Sequence, residues 1–355
     1  MVKKGYLVLA DGRAFEGVRF GAMEDAVGEL VFNTAAGSFI EIMTDPANAG
    51  QIVMQTYPLV GNYGVIREDV EGPCAMRGYV VREYCEAPSN FRTDCDLDSY
   101  LKEQGVPGLA GVDTRELTRI IREEGVMNAM ICDEVPADFD SIKAYAVTGA
   151  VAEVTCGETT VYPAEGEETF KVTLVDYGTK RSFIRKLCAM GCTVTVAGAD
   201  TSAEEILAAK PDGVILSAGP GDPAENTAQI ETVKQLLGKV PVFGVGLGHQ
   251  ILALAAGAKT VKLKYGHHGA NQAVRDLNGQ RTYTTGQNHL YAVDAGSIVE
   301  GKMSFANVND GSCEGIDYPA WNAFGVQFDP ILCTGSRDAD LLLNRFADMM
   351  KGGAK

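Results

Sequence analysis

The sequence predicts an α/β protein of two domains, and three observations support this fold class. The chain has 355 residues, whereas a single hydrophobic core rarely grows much beyond ~250 residues. The first part of the chain is rich in short strands separated by Gly and Asp turns. From Lys171 onward, strands and helices alternate regularly with short loops. We therefore expect an N-terminal mixed α/β domain rich in short strands, followed by a C-terminal doubly wound domain on a parallel sheet.

A change in composition marks the predicted domain boundary. Residues 151–170 lose hydrophobic periodicity and gain Glu, Thr and Gly. We interpret this segment as a linker between an N-terminal domain, residues 1–150, and a C-terminal domain, residues 171–355.

The N-terminal domain begins with a predicted hairpin. Its strands are 6–10 and 14–20 around the Asp11-Gly12 turn, and further strands are predicted at 29–33 and 51–56. Helices are predicted at 97–104 and 114–124. The second helix has Asp113-Thr114 at its start as a plausible N-cap, and Gly125 at its end.

The C-terminal domain alternates between the two element types. The predicted strands are 172–176, 193–197, 213–216 and 240–245, and the predicted helices are 181–190, 202–209, 229–237 and 249–256. Ligands of doubly wound folds bind beyond the carboxyl ends of the strands. The loops at 177–178, 218–223 and 244–248 are therefore the candidate ligand-binding loops.

Composition and charge exclude several classes of protein. The net charge of −16 argues against a nucleic-acid or anionic-membrane surface. No apolar run approaches the ~20 residues that span a bilayer, and the first apolar run stops at Asp11-Gly12, which predicts a strand and not a signal peptide. The nine cysteines contain no CxxC pair, which favours free thiols in a reducing cytoplasm.

Gly246 occupies the most informative position of the chain. It lies in Pro241-Val-Phe-Gly-Val-Gly-Leu-Gly-His-Gln-Ile-Leu-Ala-Leu-Ala255, between a predicted strand and a predicted helix. Many α/β enzymes hold a nucleophile on such a strand-to-helix turn, in front of a helix N-terminus. A glycine offers no nucleophile.

Motifs in both halves resemble the small subunit of carbamoyl-phosphate synthetase, over essentially the whole chain. The C-terminal half resembles its class I glutamine amidotransferase domain. The N-terminal half resembles the domain that is peculiar to this subunit. The N-terminal motifs are Val27-Gly-Glu-Leu-Val-Phe-Asn-Thr34, Glu41-Ile-Met-Thr-Asp-Pro46, Gly61-Asn-Tyr-Gly64, Pro88-Ser-Asn-Phe-Arg92 and Gly111-Val-Asp-Thr-Arg-Glu-Leu-Thr118.

The resemblance implies a role in glutamine-dependent synthesis of carbamoyl phosphate, which feeds pyrimidine and arginine biosynthesis. In this family the small subunit hydrolyses glutamine, and ammonia travels to a large subunit that makes carboxyphosphate from bicarbonate and ATP. The implied partner is that large subunit. No cofactor is expected in this chain, because ATP, bicarbonate and metal sites belong to the large subunit.

Three departures from the family pattern bear on catalysis. The family's turn reads Gly-Ile-Cys-Leu-Gly-His-Gln, so its cysteine nucleophile falls on Gly246. Its Phe-His-Pro-Glu motif aligns with Phe328-Asp-Pro-Ile331, so Asp329 replaces the general base and Ile331 the orienting carboxylate. An aspartate is a weak base at neutral pH. The resemblance therefore predicts a chain without glutaminase activity.

The glutamine pocket implied by the resemblance is partly retained. By the resemblance, the N–H groups of Gly219 and Leu247 would be oxyanion donors. Leu290 stands where the family has a glycine that touches substrate, and Ala47 where it has a serine. The remnants of the pocket are Ala47, Gly219, Gly221, Leu247, Gln250, Asn288, Leu290 and Tyr291.

Other interpretations of individual residues are weaker. The Gly-x-Gly-x-Gly spacing of 244–248 lacks the third glycine and the acidic residue of a dinucleotide site. His249 is expected to pack and to cap a helix. His267-His268 and His289 are expected to be hydrogen-bonded loop histidines, since no third metal ligand follows at a suitable spacing. Cys333, considered as a relocated nucleophile, lies on the wrong segment.

Several functions remain open from the sequence. The first is a structural small subunit that supports synthesis from free ammonia. The alternative is a repurposed binding or regulatory protein, because Leu290 and Ile331 would make the pocket more apolar and suit another small ligand. Glutamine hydrolysis by a route without cysteine, and an engineered inactive variant, are further alternatives.

Overall fold

The computed structural model describes residues 3–279, 281–331 and 340–353 of the chain. Backbone contacts divide it into two compact units. The N-terminal unit comprises Met1–Ala150 and Lys264–Gly269, and the C-terminal unit comprises Val151–Leu263 and Ala270–Lys355. Both units contain helices and strands, so the predicted α/β class is confirmed. Among the helices of the described residues, none is long and apolar enough to cross a membrane.

The N-terminal unit is built from nine strands and four short helices. Its strands are β1 (Lys4–Leu9), β2 (Ala14–Gly21), β3 (Ala26–Asn33), β4 (Gln51–Gln55), β5 (Leu59–Val60), β6 (Gly78–Val80), β7 (Glu83–Tyr84), β8 (Pro107–Ala110) and β9 (Met127–Cys132). Its helices are α1 (Phe39–Met43), α2 (Leu97–Glu103), α3 (Thr114–Glu124) and α4 (Asp140–Ala144). Seven strands form one closed sheet in the order β1-β2-β8-β6-β4-β3-β9.

Helix α3 has the bounds predicted from its end signals. The side chain of Asp113 accepts a hydrogen bond from Glu116 N at 3.0 Å, as an N-cap does. Gly125 ends the helix with φ of 103°, a value that suits glycine. One face packs Leu117 and Ile121 into the apolar core beside the closed sheet, which leaves the opposite face to solvent.

The C-terminal unit contains a large mixed sheet. Its strands are β10 (Thr160–Tyr162), β11 (Phe170–Asp176), β12 (Cys192–Gly198), β13 (Gly213–Leu216), β14 (Val242–Val245), β15 (Thr260–Asp276), β16 (Thr282–Val293), β17 (Lys302–Asn307), β18 (Cys313–Tyr318) and β19 (Ala323–Val326). Its helices are α5 (Ala150–Val154, starting at the unit boundary), α6 (Arg181–Ala189), α7 (Ala203–Ala208), α8 (Thr227–Leu236), α9 (Leu247–Ala255) and α10 (Asp340–Gly353).

Five parallel strands form the centre of this sheet, in the order β12-β11-β13-β14-β19. One apolar cluster packs Ile206, Val233 and Ile251 of helices α7, α8 and α9. A separate cluster packs Leu187 of α6 and Phe346 of α10. Helices on both faces make the fold doubly wound, as predicted. Antiparallel strands extend the sheet at both edges, which the sequence did not predict.

Two segments differ from the predictions. The proposed linker, 151–170, contains most of α5 and all of β10, and β10 pairs with β12 through Val161 and Thr195. All three side chains of β10 are exposed, so no hydrophobic period marks the strand. His267 and His268 lie in β15 and not in a loop. Both are buried, and His268 O accepts from Thr34 N at 3.1 Å.

Candidate functional site

The turn between β14 and α9 is a sharp elbow centred on Gly246. Its φ of 55° and ψ of −113° place it in a conformation that strains any residue with a Cβ. Gly246 N donates to Val326 O at 2.9 Å, and Gln250 N donates to Gly246 O at 3.2 Å. Helix α9 starts at Leu247, two residues earlier than predicted. The elbow is therefore held by backbone bonds on both sides.

Glycines on either side let this elbow pack directly against neighbouring backbone. A Cβ on Gly248 would lie 2.2 Å from Leu216 O, and one on Gly244 would lie 2.7 Å from Gly248 O. A Cβ on Gly246 would meet Ala218 Cβ at 3.1 Å, which is tight but not blocked. Position 246 is thus the elbow position at which a side chain could be accommodated, and this chain has none there.

The structure brings the two predicted oxyanion donors together. A Cβ on Gly219 would lie 2.9 Å from Leu247 Cδ2 and 2.3 Å from Tyr177 O. Leu247 is the first residue of α9, where helix N–H groups lack intrahelical acceptors and the helix dipole is positive. Gly221, farther along the same loop, has φ of 85°. Gly219 therefore lies beside the first residue of α9, as the predicted pair of donors requires.

Asp329 is held by an ion pair. Lys180 Nζ donates to Asp329 Oδ2 at 2.9 Å, with side-chain exposures of 22% and 23%. The other oxygen, Oδ1, accepts from Ile331 N at 2.8 Å. Both oxygens of Asp329 therefore bond to protein donors. Ile331 is half-buried against the apolar cluster that contains Phe346.

Sequence reasoning missed Lys180. It follows the loop after β11, and Asp176 fixes that loop by accepting from Gly178 N at 3.0 Å and from Thr179 N at 2.7 Å. The available signal was its position, since the carboxyl ends of parallel strands share one edge of the sheet. Nothing in the sequence pairs it with Asp329, which lies 149 residues away.

Gln250 is tied to the protein by its amide. Its Nε2 donates to Tyr291 O at 2.6 Å and to Gln327 Oε1 at 2.9 Å. Leu290 is buried at 5% exposure, and Asn288 beside it is half-buried. The Gln250 side chain therefore joins α9 to β16 and to the residue after β19, with both amide hydrogens used.

A second group missed from the sequence is the fully buried carboxylate of Glu314. Its oxygens accept from Gln287 Nε2 at 2.9 Å and from Asn307 Nδ2 at 3.1 Å. Gln287 Oε1 lies 2.9 Å from His289 Nε2, and His289 Nδ1 lies 2.8 Å from Tyr291 O. His289 is hydrogen-bonded as predicted, although it lies in β16 and not in a loop.

His249 is buried at 0% exposure on α9, and burial lowers its pKa to about 3. Among the described residues, neither ring nitrogen has a hydrogen-bond partner. Gly325 makes room for the ring, since a Cβ there would lie 2.7 Å from Nδ1. The packing role expected for His249 is confirmed. The expected capping role is wrong, since the helix begins before it.

Two candidates from the sequence remain, Ala47 and Cys333. Ala47 is buried in the N-terminal unit, in a turn where Asp45 Oδ1 accepts from Ala47 N at 3.0 Å. Cys333 lies outside the described residues.

Comparisons with known proteins cover both halves of the chain. The family model for the carbamoyl-phosphate synthase small chain, CPSase domain, matches residues 7–131. That for class-I glutamine amidotransferases matches residues 173–349. The carbamoyl phosphate synthase small chain of Oceanobacillus iheyensis is 43% identical over 99% of this chain and 97% of its own length. The small chain of Syntrophotalea carbinolica is 44% identical over 98% of both chains.

The first family model matches residues of the strand-rich N-terminal unit, and the second matches residues of the doubly wound unit. The relatives align over nearly the whole chain. The chain belongs to the family of carbamoyl-phosphate synthase small chains.

Proposed function

We propose that this chain is a structural small subunit that binds a carbamoyl-phosphate synthase large chain and does not hydrolyse glutamine. In that complex, carbamoyl phosphate would be made from free ammonia. The proposal joins the family role to a site in which the backbone is preserved and the reacting side chains are missing.

The observation that carries the proposal is Gly246. It occupies the elbow in front of α9 with φ of 55°, the position and strain expected of a nucleophile. Hydrolysis of an amide through a thioester needs a thiolate at this point, and a glycine has no atom that can attack. The oxyanion donors around Gly219 and Leu247 cannot replace the missing nucleophile.

The partners of Asp329 support the same conclusion. A general base must lie within hydrogen-bond reach of the proton that it removes, and Gly246 offers no such proton. Both oxygens of Asp329 are engaged, one by Lys180 and the other by Ile331 N. Ile331 has no polar group that could orient a base. Asp329 therefore acts as a structural anion that links two loops.

The partner that this chain binds under the proposal is the large chain. By the family pattern, ATP, bicarbonate and metal would be held by the large chain, so this chain needs no cofactor of its own. Glutamine is not required as a ligand of this chain under the proposal.

The decisive experiment measures ammonia release from glutamine by the purified chain, alone and with a large chain, with free ammonia as the parallel substrate. We expect no hydrolysis, stable complex formation and carbamoyl phosphate synthesis from ammonia. Glutamine hydrolysis would overturn the inactive site. Failure to bind any large chain would overturn the subunit role and favour a repurposed binding protein.

A further inference from the structure

A basic groove opens on the N-terminal unit, along the exposed face of α3. Its volume is about 1270 Å³. Four arginines line it, together with Tyr265, whose ring lies 6.0 Å from the Arg122 guanidinium carbon. The arginines are Arg82, Arg115, Arg119 and Arg122. All four are exposed.

These arginines differ from several others in the described chain. Arg13, Arg67 and Arg92 each form an ion pair with a carboxylate. Within the described residues, none of the four arginines of the basic groove does so. The chain as a whole carries a net charge of −16, so carboxylates are abundant. A cluster of unneutralised guanidinium groups on such a chain indicates an anionic binding partner.

The spacing of the cluster gives the shape of that partner. Arg115, Arg119 and Arg122 follow the i, i+4, i+7 pattern that places side chains on one helix face. At 1.5 Å per residue they span roughly 10 Å of the helix. Arg82 lies near the beginning of the row, since its Nη1 donates to Val112 O at 3.5 Å, two residues before the first residue of the helix. The groove presents a line of cations.

Such a line fits a protein segment better than a small anion. The volume exceeds the ~300–1,000 Å³ typical of small-molecule pockets. Asp113, Glu116 and Glu123 also line the groove and would repel a compact polyanion such as a triphosphate. The spacing of the arginines is matched by carboxylates at every second residue of a strand, which lie ~6.7 Å apart. Carboxylates at every fourth residue of a helix match it as well.

We infer that the basic groove docks a carboxylate-rich segment of the synthase large chain. The inference rests on the proposed function and adds a place of contact to it. Because this chain carries a net charge of −16, it would repel an acidic segment of a partner except where its own cations face that segment. The basic groove therefore orients the two chains as they meet. Bidentate pairs between its arginines and the carboxylates of the partner then stabilise the complex.

The test compares two double charge reversals. Arg115→Glu with Arg119→Glu changes the groove. Arg275→Glu with Arg281→Glu is the control, since both are exposed, both lack an ion pair among the described residues, and the change in net charge is identical. Binding of each full-length variant to the large chain is measured across salt concentrations. Thermal melting checks that every variant folds.

We expect the groove variant to bind roughly 100-fold more weakly at low salt, mainly through a slower association rate, and to lose most of the salt dependence. The control should bind like the parent chain. Arg115→Gln with Arg119→Gln should fall between the two, because it removes charge without reversing it.

Other outcomes would overturn the inference. Equal weakening in both double variants would show a general charge effect. Unchanged binding in the groove variant, with normal binding of the parent, would place the contact elsewhere. Inorganic triphosphate that binds the parent and not the groove variant, without competing with the large chain, would make the groove a small-anion site. Absence of binding by the parent itself would instead refute the proposed function.

Discussion

The elbow at Gly246 and the helix α3 use their residues in opposite ways. At the elbow, glycines bring backbone against backbone, as where Gly248 packs on Leu216 O, and no reactive side chain projects. In α3 the backbone is an ordinary capped helix, and the exposed face carries arginines without carboxylate partners. The elbow thus contributes backbone without a reacting side chain, whereas α3 contributes exposed charged side chains.

This difference predicts different responses to mutation. Added atoms near the elbow meet rigid backbone, so they cost stability. Changed side chains on the exposed face of α3 meet solvent, so they affect binding and leave stability largely intact. Each of the following changes tests the elbow side of the comparison.

The largest expected effect comes from rebuilding the family's catalytic residues. We expect Gly246→Cys with Asp329→His and Ile331→Glu to raise ammonia release from glutamine roughly 100-fold or more, because residues of such a triad act as a unit. The rate should stay roughly 10-fold or more below that of an active relative, since Leu290 and Ala47 stand where the resemblance implies a glycine and a serine. Steady-state release of ammonia measures both comparisons.

Gly246→Cys alone is the matched control and should remain inactive, because Lys180 still engages Asp329. Adding Leu290→Gly and Ala47→Ser to the triple variant should raise the rate further. Full activity from the three changes alone would show that Leu290 and Ala47 are harmless.

The next effect is on stability at the loop beside the elbow. Gly219→Ala would place a Cβ 2.3 Å from Tyr177 O, which is backbone and cannot rotate away. We expect the free energy of unfolding to fall by about 1–3 kcal/mol. Gly157→Ala is the control, because no atom lies within 4 Å of a Cβ there. Urea denaturation measures the free energy of unfolding of both variants. Equal values for the two would mean that the loop can move to make room for the Cβ.

The parts of the structure that sequence could predict are those with local signals. Asp113 and Gly125 mark both ends of α3, and buried apolar runs mark the central parallel strands. The exposed strand β10 has no such period. The early start of α9 is hidden because Gly-Leu-Gly resembles a turn. The Lys180–Asp329 pair depends on how distant strands meet, so no local pattern could reveal it.

A smaller effect is expected from pH through His249. Burial lowers its pKa to about 3 in the folded chain, whereas an unfolded histidine has a pKa near ~6.5. The unfolded state therefore binds the proton more readily below pH ~6.5, and stability falls with pH from there down to about 3. Between pH 7 and 5.5 the loss should be about 1 kcal/mol.

His249→Phe removes this titration while keeping a ring in the space left by Gly325. Urea denaturation at the two pH values should show a smaller loss for the variant than for the parent. The other three histidines are the same in both proteins, so the difference between the two losses isolates His249. Equal losses would mean that the ring is hydrated or bonded when the protein is in solution.

The smallest effect concerns the ion pair that occupies the place of the general base. Lys180→Met and Asp329→Asn, made singly and together, should give a coupling energy of about 0.5–1 kcal/mol, as expected for a pair that is only partly buried. Asparagine keeps Oδ1 as the acceptor for Ile331 N, so the loop contact survives and the cycle reports the charge. Denaturation of the four proteins provides the measurement. A measurable coupling would show that the Asp329 carboxylate stabilises the fold through Lys180, in keeping with the structural role proposed for it. A coupling near zero would show that the ion pair adds no stability, and that structural role would then rest on the bond from Ile331 N alone.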